Sequence, residues 1–126
     1  MNNRARILLA DDHELFREGL AGLINAQPDL EVVAEAGDGL EALTLARKLQ
    51  PDLVVMDIKM PICDGLEATR LIRAEVTTAR IVMLTVHDED TKLFEAVKAG
   101  ARGYMMKNTN ATRFLQGIHD ALAGEA

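Results

Sequence analysis

Leu53-Val54-Val55-Met56-Asp57-Ile58-Lys59-Met60-Pro61 is the stretch on which the reading of this chain turns. Four apolar residues run straight into a lone carboxylate, and a proline follows. An unbroken apolar run of this kind reads as a strand covered on both faces, as in a parallel sheet. Asp57 then lies where that buried strand surfaces. A carboxylate in an apolar setting is costly unless something pairs with it, so the partner has to come from elsewhere in the chain.

Working outward, Arg6–Ala10 and Arg80–Thr85 repeat the pattern of short, continuous apolar runs and read as two more central strands. In Leu30–Ala36, Leu30, Val32, Ala34 and Ala36 alternate with Glu31 and Glu35, which predicts a strand with one wetter face at a sheet edge. Gly103–Lys107 is a last, short strand. Between the strands, apolar residues recur at helical spacing. The stripes are Phe16, Leu20, Leu23 and Ile24; Ala42, Leu45, Ala46 and Leu49; Ala68, Leu71, Ile72 and Val76; the narrow Leu93, Ala96 and Val97; and Ala111, Leu115, Ile118 and Leu122. Asp12, Asp64 and Asn108–Asn110 are placed to cap helices, and Gly100 to close one. Five strands alternating with five helices predict an α/β protein with right-handed crossovers. The unbroken first, third and fourth strands belong in the middle. The order 2-1-3-4-5 satisfies this, that of a flavodoxin-like (βα)5 doubly wound parallel sheet.

Bulk properties narrow the function. The 126 residues make one domain, 1–126, and the net charge of −6 argues against nucleic-acid binding by it. Aromatics are 3% of the chain, so the core is aliphatic. Cys63 is the only cysteine, so no internal disulfide forms, which suits a reducing compartment. No segment has the apolar length of a signal peptide or a membrane span. The expectation is a cytoplasmic protein with no membrane contact.

In doubly wound sheets, ligands bind at the carboxyl ends of strands where the strand order reverses. Asp11 and Asp12 end the first strand and Asp57 the third, so three carboxylates meet at that point. They repel one another, and a hard divalent cation such as Mg2+, which prefers oxygen ligands, relieves the repulsion. His13, His87 and His119 show no zinc-ligand spacing. The fourth strand brings Thr85 to the same edge and the fifth brings Lys107, a point charge suited to phosphate. Any one of these is commonly a cap or a solvated side chain. Together they fit a phosphoryl group carried by Asp57, since a carboxylate can act as nucleophile and form an acyl phosphate.

Leu-Leu-Ala-Asp11-Asp12-His-Glu, Asp57-Ile-Lys-Met-Pro61-Ile-Cys-Asp64-Gly65, Met-Leu-Thr85 and Ala-Gly-Ala-Arg-Gly-Tyr104-Met-Met-Lys107 together resemble the receiver domain of two-component response regulators, in particular the NarL/FixJ-type subgroup. The resemblance covers essentially the whole chain. It implies that Asp57 accepts phosphoryl from a sensor histidine kinase. Asp12, Asp57 and the backbone carbonyl of Lys59 would bind Mg2+, with Asp11 acting through water. Thr85 and Lys107 would hold the phosphoryl oxygens, and Tyr104 would be the switch aromatic. Lys59 and His87, two residues beyond Asp57 and Thr85, would flank the path of water and tune phosphate lifetime. Asn108 stands where many receivers carry proline. The resemblance further implies a homodimer on phosphorylation and control of transcription. DNA would be bound only through a C-terminal helix-turn-helix domain expected to be missing from this chain. Such a domain catalyses its own phosphorylation and dephosphorylation and is not a turnover enzyme. The alternative is a stand-alone receiver that acts as an interaction module without phosphorylation. An aspartate-nucleophile phosphohydrolase fits less well, because it needs a substrate-capping insertion. A flavin or nucleotide module would need Gly, Ser or Thr where Asp-Asp-His-Glu stands.

Overall fold

The computed structural model describes residues 3–86 and 90–124, with the backbone alone for 90–94. Five strands, β1 (Ala5–Ala10), β2 (Leu30–Ala36), β3 (Leu53–Asp57), β4 (Arg80–Thr85) and β5 (Gly103–Met106), alternate with five helices. These are α1 (Glu14–Asn25), α2 (Gly39–Leu49), α3 (Gly65–Glu75), α4 (Asp90–Ala99) and α5 (Ala111–Leu122). All neighbouring strands pair in parallel, in the order β2-β1-β3-β4-β5. The predicted fold class and strand order are those observed.

The unbroken apolar runs are explained by cover on both faces. In β3, Leu53 and Val55 pack with Ile24 of α1 and Phe114 and Ile118 of α5. Val54 and Met56 pack on the other side with Ala46 of α2 and Ile72 of α3. β1 divides the same way, with Ile7 and Leu9 towards one layer and Leu8 and Ala10 towards the other. Of the narrow α4 stripe, Ala96 is buried and Val97 is exposed.

Two sequence expectations need correction. The first concerns β2, which is an edge strand but whose alternation is broken. Ile7 pairs with Val32 and Leu8 with Ala34, so Val33 is an extra residue, a bulge. Because side-chain direction alternates along a strand, one extra residue moves everything after it to the opposite face. Leu30 and Val32 therefore join the α1–α5 layer, while Ala34 and Ala36 join the α2–α4 layer. The second concerns α1, whose N-cap is His13, with no side-chain cap bond, so Asp12 is not the cap. The backbone N–H of His13 donates instead to Asp11 Oδ1 at 2.8 Å. Elsewhere the cap residues act as expected: Asp64 accepts from Glu67 N–H and Asn110 from Arg113 N–H. Gly100, at φ 107°, follows the last turn of α4.

The β3–α3 connection is held by a close approach that only glycine permits. A Cβ on Gly65 would lie 2.0 Å from the carbonyl oxygen of Asp57. The Gly65 N–H donates to Ile58 O at 2.7 Å, which folds the loop back against the strand end. Position 65 thus fixes the backbone that carries Asp57. Gly65→Ala must displace backbone, so it is expected to lower stability by about 1–3 kcal/mol, the usual range for overpacking. Urea unfolding of the two proteins measures this, and an unchanged midpoint would show that the loop is free to give way.

Candidate functional site

The carboxyl ends of β1, β3, β4 and β5 form one edge because the strands run parallel and in register. Asp57 pairs with Leu84 and Met106 with Thr85. The next residue, Lys107, donates its backbone N–H to Thr85 O at 2.8 Å. Its side chain turns inward and is only 9% exposed. The ammonium lies 2.9 Å from Asp11 Oδ2 and 3.2 Å from Asp57 Oδ2. Across from it, the Phe16 ring centroid is 5.1 Å from Nζ, a cation–π contact. The sequence reading brought Lys107 to this edge as a mobile point charge suited to phosphate. The structure instead holds a fixed, largely buried bridge between two strand ends.

Asp57 is 4% exposed and Asp11 is 2% exposed, which makes their electrostatics severe. Burial pushes the Asp57 carboxyl up from its ordinary 3.8 to about 6, and the charge on Asp11 pushes the same way. Lys107 opposes both and does not cancel them. Burial also disfavours the Lys107 ammonium, yet its hydrogen bonds and charge interactions with Asp11 and Asp57 outweigh this and raise its pKa. The Asp11 Oδ2 atom is buried, and its partner is the Lys107 ammonium at 2.9 Å.

The residues present fit a hard divalent cation. Asp11, Asp12, His13 and Asp57 each offer a ligand atom, and those atoms lie within 4.8 Å of one another. Three carboxylates face a single ammonium, so charge neutrality is not reached without a further cation or a proton.

The predicted residues come together unevenly. Asp11, Asp12, Asp57 and Lys107 form the cluster itself, and Thr85 is buried at the adjoining strand end. Lys59 is exposed in the loop that leaves β3. Tyr104 is on β5, two positions before Met106, and is 44% exposed. His87 lies outside the described residues. Among the described residues no peptide bond is cis, so Lys107–Asn108 is trans.

Two residues were not anticipated. Arg17 donates to Asp11 O at 2.7 Å and to Glu35 Oε1 at 2.9 Å, tying α1 to the ends of β1 and β2. His13 turns its ring back onto the acidic pair, with Nδ1 3.0 Å from Asp11 Oδ1 and 3.4 Å from Asp12 Oδ1. The available signal was positional. His13 caps α1 at the switch point, and Arg17 follows it by one helical turn. A groove of about 550 Å3, lined by His13, Leu15, Phe16, Val86, Lys107 and Asn108, opens beside the pocket.

The family model of the response regulator receiver domain matches residues 7–119. This chain belongs to that family. LiaR of Bacillus subtilis, a transcriptional regulatory protein, is 43% identical to this receiver domain over 120 residues, or 95% of the chain and 57% of LiaR. The nitrate/nitrite response regulator NarL of Escherichia coli K12 is 40% identical over 121 residues, 96% of the chain and 56% of that protein. The receiver domain thus spans little more than half the length of these curated relatives. Among solved structures, the signal receiver domain of NarL from Mycobacterium tuberculosis gives a TM-score of 0.94 at 31% identity, covering 98% of this chain and 99% of that one. A LuxR-family two-component response regulator from Aurantimonas sp. SI85-9A1 gives 0.92 at 44% identity, covering 97% and 87%. The relatives of this receiver domain are therefore NarL- and LuxR-type response regulators. Among its described residues no helix is long and apolar enough to cross a membrane.

The raised Asp57 pKa has a consequence for stability. Between pH 3.8 and about 6 the folded protein binds more protons at this site than the unfolded chain. Stability is therefore lost as pH rises through that window, and the full cost is present above it. In the absence of divalent ions, Asp57→Asn is expected to stabilise the receiver domain at pH 7.5 by about 1–3 kcal/mol. The gain should shrink towards pH 4.5. Thermal unfolding of both proteins across that range checks it, and a pH-independent difference would contradict the buried, repelled carboxylate.

Proposed function

We propose that this receiver domain takes a phosphoryl group on Asp57 from a sensor histidine kinase and passes the change to a transcriptional output. The observation that carries the reading is the Lys107 ammonium seated between Asp11 and Asp57 at the carboxyl edge of the sheet. A cation held at that spot fits an incoming phosphoryl oxygen as well as it fits the carboxylates.

Mg2+, when bound, neutralises the crowded carboxylates and the oxygens of the phosphoryl group. Asp12, Asp57 and the Lys59 backbone carbonyl would hold it, with Asp11 acting through water. Every other step belongs to the side chains. An oxygen of Asp57 attacks phosphorus, and the phosphorus–nitrogen bond of the kinase's phosphohistidine breaks. The departing imidazole keeps the electron pair, and the product on this chain is an acyl phosphate. Lys107 stays against the new phosphoryl oxygens, and the Thr85 hydroxyl donates to another. The open groove beside the pocket shares His13 and Lys107 with it and offers apolar surface at Leu15, Phe16 and Val86 to a protein donor.

The switch follows from competition for Thr85. Its movement towards the phosphoryl group leaves space beneath β5 that Tyr104, now outward, can fill. Phosphate then favours the packing in which both have moved, because only that packing supplies the extra contacts. The phosphorylated form pairs as a homodimer. DNA is contacted only by a further, C-terminal domain of the kind that NarL-type relatives would carry. Lys59 and His87 adjust how quickly water reaches the acyl phosphate.

Incubation with Mg2+ and acetyl phosphate, followed by intact mass, tests the reading. Wild type should gain one phosphoryl group and Asp57→Asn none. The peak should decay at a different rate in a Lys59→Ala, His87→Ala double variant. Continuous phosphate release at high turnover would instead indicate a hydrolase. No addition from either acetyl phosphate or a phosphorylated kinase would leave an interaction module that works without phosphate. The coupling is tested separately with Thr85→Ala, which should still accept phosphate but lose most of its phosphate-dependent dimerisation in light-scattering chromatography. Unchanged dimerisation would detach Thr85 from the switch.

A further inference from the structure

We propose that Phe16 is a positioning residue for phosphoryl transfer: the face of its ring keeps the Lys107 ammonium in the pocket once the carboxylates beside it are engaged elsewhere. The proposal rests on the reading that Asp57 takes a phosphoryl group, and adds to it the group that holds the lysine through the reaction.

The neighbours of the ammonium are the starting point. Among the described residues, Nζ has Asp11 Oδ2 at 2.9 Å, Asp57 Oδ2 and His13 Nδ1 at 3.2 Å, and the Phe16 ring centroid at 5.1 Å. The polar neighbours do not stay as they are. Asp57 becomes an acyl phosphate, Asp11 turns to the water of a bound metal ion, and the exposed His13 side chain is shared with the same acids. The Phe16 ring has no charge to lose, no lone pair for a metal ion and no part in the bond changes. A positive ion drawn to these carboxylates also repels the ammonium beside them. Lysine is a compact charge on a flexible four-carbon stem, so its position is easily lost. A ring face attracts a cation through its quadrupole, most strongly where water is excluded. The Lys107 side chain is 9% exposed, which meets that condition.

The surroundings show where an unrestrained ammonium would go. Phe16 is half-buried on α1 and packs on the layer that α1 and α5 cover. Phe16 and Lys107 both line the groove of about 550 Å3 beside the pocket. Both also line a second cavity, of about 130 Å3, with Leu20 and Leu23 of α1 and Phe114 of α5. The lysine stem thus has space on two sides, and a position 16 without the ring enlarges both. Helical periodicity puts Phe16 in one core stripe with Leu20 and Leu23. That ordinary packing role is the alternative to be separated.

The test uses the full chain, Mg2+ and acetyl phosphate. Intact mass follows the rate of phosphoryl gain. It should fall about three- to thirtyfold in Phe16→Leu, the range that a cation–π contact is worth. Phe16→Tyr keeps the ring and should stay within about twofold of wild type. Calorimetric Mg2+ affinity should be equal or higher in Phe16→Leu, because an ammonium free to leave repels the ion less. In proton NMR, with and without Mg2+, the Lys107 Hε signals should lie upfield under the ring in wild type and Phe16→Tyr. In Phe16→Leu they should return to the ordinary lysine position. Leu20→Ala, on the same face of α1, is the packing control. It should lower the unfolding temperature and keep the rate within about twofold. A wild-type rate in Phe16→Leu, a parallel loss of rate and Mg2+ affinity, or the same loss of rate in Leu20→Ala would overturn the proposal and leave the phosphoryl reading intact. If wild type gains no phosphoryl group, that reading fails, and this proposal fails with it.

Discussion

Three carboxylates facing one ammonium at the edge of a parallel sheet is the constraint on which the rest of this molecule depends. Asp57 is held where it is costly to ionise, by burial first and by Asp11 second, and Lys107 offsets only part of that cost. The backbone leaves little freedom to escape. Gly65 presses on the Asp57 carbonyl, Arg17 grips the Asp11 carbonyl, and the Lys107 N–H is tied to Thr85. Such a site is stable only with something added to it, whether a proton, a metal ion or a phosphoryl group with its own counter-cation. A site in electrostatic deficit is also one whose contacts change sharply when that addition arrives, as a switch requires.

The path from the pocket outward is short. Thr85 and Lys107 are joined by a backbone hydrogen bond, and Met106 and Thr85 are register partners. Tyr104 lies two residues further along the same edge strand, with its ring outward. In the proposed switch, a displacement at Thr85 would have only two adjacent strands to cross before reaching the exposed face of β5. Val97 on α4 is exposed as well.

Much of this was legible in the sequence, for physical reasons. Continuous apolar runs at Arg6–Ala10, Leu53–Asp57 and Arg80–Thr85 mean cover on both faces, and that alone orders the sheet. Once the order is fixed, the ends of β1 and β3 must be neighbours, so the meeting of Asp11, Asp12 and Asp57 follows from topology. What stayed hidden depends on local geometry. The bulge at Val33 reverses the facing of Ala34 and Ala36, and periodicity counts residues without seeing an unpaired one. The first-turn cap went to His13 because Asp11 engages the His13 N–H, a competition between two adjacent acids that composition does not decide. Lys107 reads as a mobile point charge at the sheet edge, and its fixed, largely buried position between two carboxylates is visible only in three dimensions. The roles of Arg17 and His13 are set by side-chain direction, which spacing does not carry.

The most direct measurement is the titration of the Asp57 carboxyl carbon by NMR in the absence of divalent ions. It should report a midpoint near 6, and saturating Mg2+ should move that midpoint to well below the metal-free value. A midpoint near the ordinary 3.8, unmoved by Mg2+, would mean that Asp57 is solvated and unopposed and that the carboxylates do not form one site.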